Sequence, residues 1–159
     1  MICSLAQVAA LRAQARAAGR PCAVANGAFD LLHVGHVRYL LGARQLLGPD
    51  GLLVVGVNSD ESVRKSKGPQ RPLIPEQERA ELVDAIRGVD CVVLFGEQTA
   101  EALLSALRPD LHVKGTDYTP ETVPERDELA AWGGRVAIAG DPKDHSTTEL
   151  LQRLARGEK

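Results

Sequence analysis

Directly after the apolar run 22–25 the chain reads Asn26-Gly27-Ala28-Phe29-Asp30-Leu31-Leu32-His33-Val34-Gly35-His36. His33 and His36 are three positions apart where a helix is predicted to begin, so their imidazoles share a face. Gly27 lets a ligand approach the backbone, and Gly35 removes a side chain from the path of a bound group. Two imidazoles beside the free N–H groups of a helix start make a place for an anion such as phosphate. The same pair also fits surface histidines or two ligands of a metal site. No Cys or third His close by in sequence supports zinc.

Three further sets follow. Lys65, Lys67 and Arg71 lie beyond the Asn58-Ser59-Asp60 turn. They read as mobile cations that close over a polyphosphate, or as a solvated charge run. Lys114-Gly115-Thr116-Asp117-Tyr118 puts a lysine and a glycine at a predicted strand end, as a ligand loop or a plain turn. In His145-Ser146-Thr147-Thr148-Glu149, Ser146 and Glu149 form a capping box. The hydroxyls and free N–H groups of that helix start also suit phosphate.

These sets need a scaffold that gathers them. Apolar runs at 22–25, 52–57, 91–95, 111–113 and 135–139 read as strands. Helical patterns separate them: one before the first strand, up to Gly19-Arg20-Pro21, then 34–47, 75–87, 100–107, 125–132 and a last helix from about Ser146. Residues 58–71 are polar and read as a loop. The expected inward residues include Leu5, Val8 and Leu11 in the first helix and Ala80, Leu82, Val83 and Ile86 in the third. That first helix packs on the sheet or on a partner subunit. Alternating strands and helices imply an α/β fold, a parallel sheet with helices on both faces. Such sheets bind ligands beyond the carboxyl ends of their strands, where all four sets fall.

The 159 residues suit one domain, 1–159, with 1–20 as a helix ahead of the core. The net charge of −2 argues against a protein held to nucleic acid by overall positive charge. With 3% aromatics there is little material for base stacking. No apolar run is long enough to span a bilayer, and no secretory signal is visible, so neither nucleic acid nor membrane is expected as a partner. The three cysteines lack a CxxC and read as reduced thiols of a cytoplasmic protein. Neither GxxxxGK[ST] nor a GxGxxG after a strand occurs, which disfavours P-loop enzymes and nicotinamide dehydrogenases.

The segment 26–36, ending in H-x-G-H, resembles the signature of the cytidylyltransferase-like nucleotidyltransferases. Ser146-Thr147-Thr148 is similar to their second, C-terminal nucleotide motif. The resemblance runs from about Ala23 to Leu154 and implies a Rossmann-like three-layer fold on a five-stranded parallel sheet. Within the superfamily, VNSDESVRKSKGPQRPLIPEQERAEL and VKGTDYTPETV are similar to heptose 1-phosphate adenylyltransferases, the ADP-heptose synthases of lipopolysaccharide assembly. In many bacteria that domain is fused behind a sugar kinase. No kinase domain is visible here, so the expected match is to the stand-alone form.

The resemblance implies ATP as substrate, with Mg²⁺ on its triphosphate, a sugar 1-phosphate as second substrate, and a homodimer. By the same resemblance, His33, His36 and Lys67 are the catalytic residues, stabilising charge on the nucleotide phosphates. Asn26, Gly27, Phe29, Asp30, Gly35, Arg87, Asp90, Gly115, Asp117, Tyr118, Ser146 and Thr147 are expected around the nucleotide. Asp60, Lys65, Arg71 and Lys114 are expected on the second substrate, and no dedicated protein metal ligand is expected. Glycerol-phosphate cytidylyltransferases are the nearest alternative, but they carry an Arg-Thr pair where Asp141-Pro142 stands. Phosphopantetheine adenylyltransferases usually keep one histidine of the pair, and this chain has both. A non-catalytic nucleotide-binding domain on the same fold is the alternative of another class.

Overall fold

The computed structural model describes residues 1–141 and 147–157, apart from the side chains of Thr148 and Glu149. Five strands, β1 (Cys22–Gly27), β2 (Leu52–Asn58), β3 (Cys91–Phe95), β4 (Leu111–Lys114) and β5 (Arg135–Ile138), form one sheet in the order β3-β2-β1-β4-β5. Every pairing is parallel. The helices are α1 (Leu5–Ala17), α2 (Val34–Leu47), α3 (Asp60–Lys67), α4 (Glu76–Asp84), α5 (Glu101–Leu107), α6 (Arg126–Ala130) and α7 (Thr147–Ala155).

Alternation along the strands feeds two cores. Val24, Val54 and Val93 join Val8, Leu104 and Leu129 beneath α1, α5 and α6. Ala23, Val55 and Val92 join Leu40, Ala43 and Val83 beneath α2 and α4. Both faces are covered, so the strands are apolar throughout. Gly56 is needed where α5 crosses β2: a Cβ there would lie 2.8 Å from the Leu103 side chain. The chain winds outward from β1 to β3, then returns past β1 to β4. That reversal opens a crevice at the carboxyl ends of β1 and β4.

Several sequence expectations are corrected. Residues 60–67 are not loop but α3. Ser59 caps it by accepting the Ser62 N–H at 3.2 Å, Asp60 and Glu61 fill its first turn, and Arg64, Lys65 and Lys67 fill its last. This charge order suits the helix dipole. The helix expected to reach Arg87 ends at Asp84, and its Leu82 is 42% exposed. Leu5 of α1 is also exposed, while Arg12 is buried. Arg12 donates to Leu107 O at 3.2 Å and Arg108 O at 2.9 Å, satisfying carbonyls at the end of α5. Thus α1 packs on the sheet and α5 through Val8 and Ala15. Among the described residues no helix is long and apolar enough to cross a membrane.

A buried polar latch joins the β1–α2 connection to the α3–α4 connection. Asp30 Oδ1 accepts from Leu73 N at 2.6 Å and Ile74 N at 3.1 Å, and its Oδ2 pairs with Arg71. Arg79 is fully buried; it donates to Ala28 O, to Ile74 O at 2.9 Å and to Asp60 at 2.7 Å. Removing one partner of such a pair strands the other in a low-dielectric site. Asp30→Ala is therefore expected to lower unfolding free energy by ~3–5 kcal/mol in urea titration. A loss below ~1 kcal/mol, the range of an exposed pair, would contradict the latch.

Candidate active site

The crevice at the carboxyl ends of the strands is a cavity of about 600 Å³. On one side stands the start of α2. His33 occupies the cap position and His36 lies within the first turn. Their rings stack at 3.9 Å between centroids. The His33 backbone N–H donates to His36 Nδ1 at 3.3 Å, so the proton of the neutral ring sits on Nε2. Burial, then the charges of His33 and Lys67, lower the His36 pKa to about 4. At neutral pH this imidazole is an uncharged donor.

Phe29 shapes this wall from below. It is buried at a φ of 50°, a left-handed conformation that costs a bulky residue energy. Its ring lies 5.3 Å from that of His36. A Cβ on Gly27 would sit 3.2 Å from the Phe29 ring, so glycine admits the ring at this place. Thr147, which opens α7, donates to Leu31 O at 3.4 Å and closes the site over the same connection.

The floor comes from β1 and β4. Asn26 Oδ1 receives Lys114 Nζ at 3.3 Å and lies 2.9 Å from His112 Nε2. That oxygen only accepts, so His112 carries its proton on Nε2. Burial, with help from Lys114, lowers the His112 pKa to about 3. Burial also lowers the Lys114 pKa, against the pull of Glu125 at 3.9 Å. The Lys114 ammonium sits 5.1 Å from the centre of the Tyr118 ring, a cation–π contact.

Of the residues expected from the sequence, Asn26, Gly27, Phe29, His33, Gly35, His36, Lys67, Lys114, Gly115, Asp117, Tyr118 and Thr147 line this cavity. Asp30, Asp60 and Arg71 do not line it and are held in the latch beneath. Lys65 is turned to Glu61, its neighbour one helical turn back, at 2.6 Å. Arg87 and Asp90 lie in the connection that enters β3, at the amino ends of the strands and away from the cavity. Asp90 pairs there with Arg44 and accepts from Leu53 N at 2.7 Å, which aligns β2 with β3. Ser146, His145 and the capping box fall outside the described residues.

The cavity also recruits Tyr39, Asn58, Gln98, Thr99 and Glu125, which the sequence reading passed over. Asn58 ends β2, and Gln98 and Thr99 follow β3, so the strand-end rule applied to those strands finds them. Glu125 carries no local signal.

Residues 24–153 match the cytidylyltransferase-like family model. The bifunctional protein HldE of Syntrophotalea carbinolica is 50% identical over 139 residues, 87% of this chain and 28% of that protein. HldE of Geotalea uraniireducens is 44% identical over 154 residues, 97% of this chain and 31% of that protein. The chain thus spans under a third of the length of these relatives. A lipopolysaccharide core biosynthesis protein from Thermoplasma volcanium has a similar structure, with a TM-score of 0.60 and 28% identity over 74% of this chain and 93% of that one. A macrolide-efflux protein from Streptococcus pneumoniae shares the fold at a TM-score of 0.59 and 22% identity, over 84% of this chain and 52% of that one. The sheet and its crevice are those of a Rossmann-like nucleotidyltransferase fold. The chain belongs to the cytidylyltransferase-like family, and these findings bear out the resemblance read from its sequence.

A histidine whose folded pKa is depressed takes up a proton more readily in the unfolded chain. Its contribution to stability is full above the ordinary pKa of ~6.5 and is lost as pH falls through the folded value. For His36 that window runs from ~6.5 down to about 4. The His36 ring signal in an NMR titration of the ligand-free protein is expected to have its midpoint near 4. A midpoint near ~6.5 would remove the neutral donor.

Proposed function

We propose that the chain transfers AMP from ATP to D-glycero-β-D-manno-heptose 1-phosphate, giving ADP-heptose and pyrophosphate for lipopolysaccharide core synthesis. One observation carries this reading: His33, His36, Lys67 and the start of α2 converge on one wall of a cavity whose floor holds Lys114. The likeness to the HldE proteins and to a lipopolysaccharide core biosynthesis protein supports the substrate class.

The sugar phosphate is already largely ionised at neutral pH and is a competent nucleophile. Its oxygen attacks the α-phosphorus of ATP in line. The new P–O bond forms as the bond to the β-phosphate oxygen breaks, and pyrophosphate leaves with that electron pair. No proton has to be removed from the attacking group. Catalysis is positioning plus stabilisation of charge on the phosphoryl oxygens. His36 donates from Nε2, Lys67 supplies a cation, and the free N–H groups of α2 add their dipole. Mg²⁺ enters as part of the ATP substrate. The neutral and cationic groups of this wall suit phosphate oxygens, so the ion would be held by phosphate and water. The protein acts in the cytoplasm as a homodimer, and sedimentation equilibrium tests its oligomeric state.

Pyrophosphate release is to be measured for ATP, CTP and GTP, each with heptose 1-phosphate, glycerol 3-phosphate and phosphopantetheine. Turnover confined to ATP with heptose 1-phosphate is expected. Turnover confined to CTP with glycerol 3-phosphate would move the protein to another activity. Nucleotide binding without turnover in any pairing would make it a binding domain. On the expected pairing, His36→Ala or Lys67→Ala should lower kcat ~10²–10³-fold with the fold intact. Near-normal turnover in both variants would defeat the assignment.

A further inference from the structure

Glu125 is a carboxylate in an unusual position. It lines the cavity yet is only 4% exposed. Its Oε2 is buried with no hydrogen-bond partner among the described residues. The partners of Oε1 are distant: the Ala100 N–H at 3.4 Å and Lys114 Nζ at 3.9 Å. A carboxylate offers about four acceptor sites, and buried ones are normally filled by short, charge-assisted bonds. A group that served only to anchor Ala100 would use that capacity within the protein. Here a buried acceptor is left over at the edge of a ligand cavity, where a ligand donor would satisfy it.

The sign of the charge limits what that donor is. A carboxylate repels phosphate and accepts from hydroxyl groups. Gln98 and Thr99, immediately before Ala100, line the same side and add neutral polar groups. Position agrees with charge. Glu125 immediately precedes α6 and bonds Ala100 ahead of α5, and both helices cover the sheet face opposite α2. The histidine wall for phosphate and the Glu125 wall therefore approach the crevice from opposite faces. The last torsion of a glutamate is broad, so a small rotation presents either oxygen.

We propose that Glu125 is the residue by which the cavity selects a polyhydroxylated substrate, accepting hydrogen bonds from sugar hydroxyls while the phosphates lie against α2. This assignment rests on the proposed function for its choice of sugar. It adds the group that reads the sugar and the side of the cavity the sugar occupies. Lys114, 3.9 Å away, partly compensates the carboxylate.

The test is calorimetric titration of heptose 1-phosphate into the full chain held with α,β-methylene-ATP, which cannot be cleaved at the reacting bond. It is run on the wild type and on Glu125→Gln, whose amide oxygen preserves the acceptor for Ala100. The variant is expected to bind the sugar phosphate ~10–100-fold more weakly, as for loss of a hydrogen bond to a charged group. Its affinity for the ATP analogue should stay within about 2-fold, since no phosphate contact is removed. Unchanged sugar affinity, or equal weakening of both ligands, would overturn the assignment. Singly deoxygenated sugar phosphates give a reading on the wild type that does not depend on the variant's folding. One hydroxyl should cost the wild type ~10-fold or more when removed and the variant little. If no removal costs the wild type more than about 3-fold, the assignment also falls.

Parallel pyrophosphate assays separate this proposal from the function it rests on. Sugar binding that depends on Glu125 without turnover would overturn the reaction and leave the assignment standing. Turnover with a variant of unchanged sugar affinity would overturn the assignment alone. A wild type that does not bind the sugar phosphate would overturn both.

Discussion

The Asp30 carboxylate, buried one turn of chain before the histidines, fixes the relation between the two segments that build the histidine wall of the cavity. It holds Leu73 N, Ile74 N and Arg71 from the α3–α4 connection. Arg79 returns the tie by reaching Ala28 O in the β1–α2 connection. The two connections are thereby tied at both ends. Lys67, the last residue of α3, is thereby held on the cavity that His33 and His36 face. Without the latch the lysine would ride on a short polar helix with little burial of its own. Asp30, Asp60 and Arg71 are therefore spent on protein partners, while His33, His36 and Lys67 line the cavity.

Burial then sets the chemistry of the wall. His36 is desolvated and lies beside His33 and Lys67, so its neutral form is favoured. A neutral imidazole with Nδ1 held by a backbone N–H donates in one fixed direction. His112 is treated the same way on the floor, where its Nε2–H and Lys114 share one oxygen of Asn26. The cavity thus sets fixed neutral donors beside the charged groups Lys67, Lys114, Asp117 and Glu125, and donors fixed in this way need little rearrangement under the proposed transfer.

Much of the fold was legible because covered parallel strands leave continuous apolar runs, as in Leu52 to Val57. The start of α2 was legible from His33 onward, and the sequence reading gave its end at Leu47. Helix α3 was not, because Val63 is its one apolar residue and its stability comes from Ser59, its charge order and the latch. Leu5 and Leu82 were placed inward by periodicity and are exposed, whereas Arg12 and Arg79 of the same helices are buried, their guanidinium groups donating to backbone carbonyls. The site shows the same division. Residues that follow β1 and β4 were found by position. Asp60, Arg71 and Asp90 were assigned to ligands by charge or likeness, although each meets a protein partner. Glu125 escaped because only the tertiary fold brings it to Lys114 and Ala100.

The central claim is direct transfer: two substrates share one cavity, and the sugar phosphate oxygen attacks the α-phosphorus with no intermediate on the protein. The stereochemistry at that phosphorus reports this most directly. ATP chiral at the α-phosphorus through sulfur substitution is to be turned over with heptose 1-phosphate, and the configuration of the resulting ADP-heptose analogue read by phosphorus NMR. A single in-line displacement gives inversion, the result expected here. Retention would mean two displacements through a covalent nucleotidyl-protein, and would contradict the account.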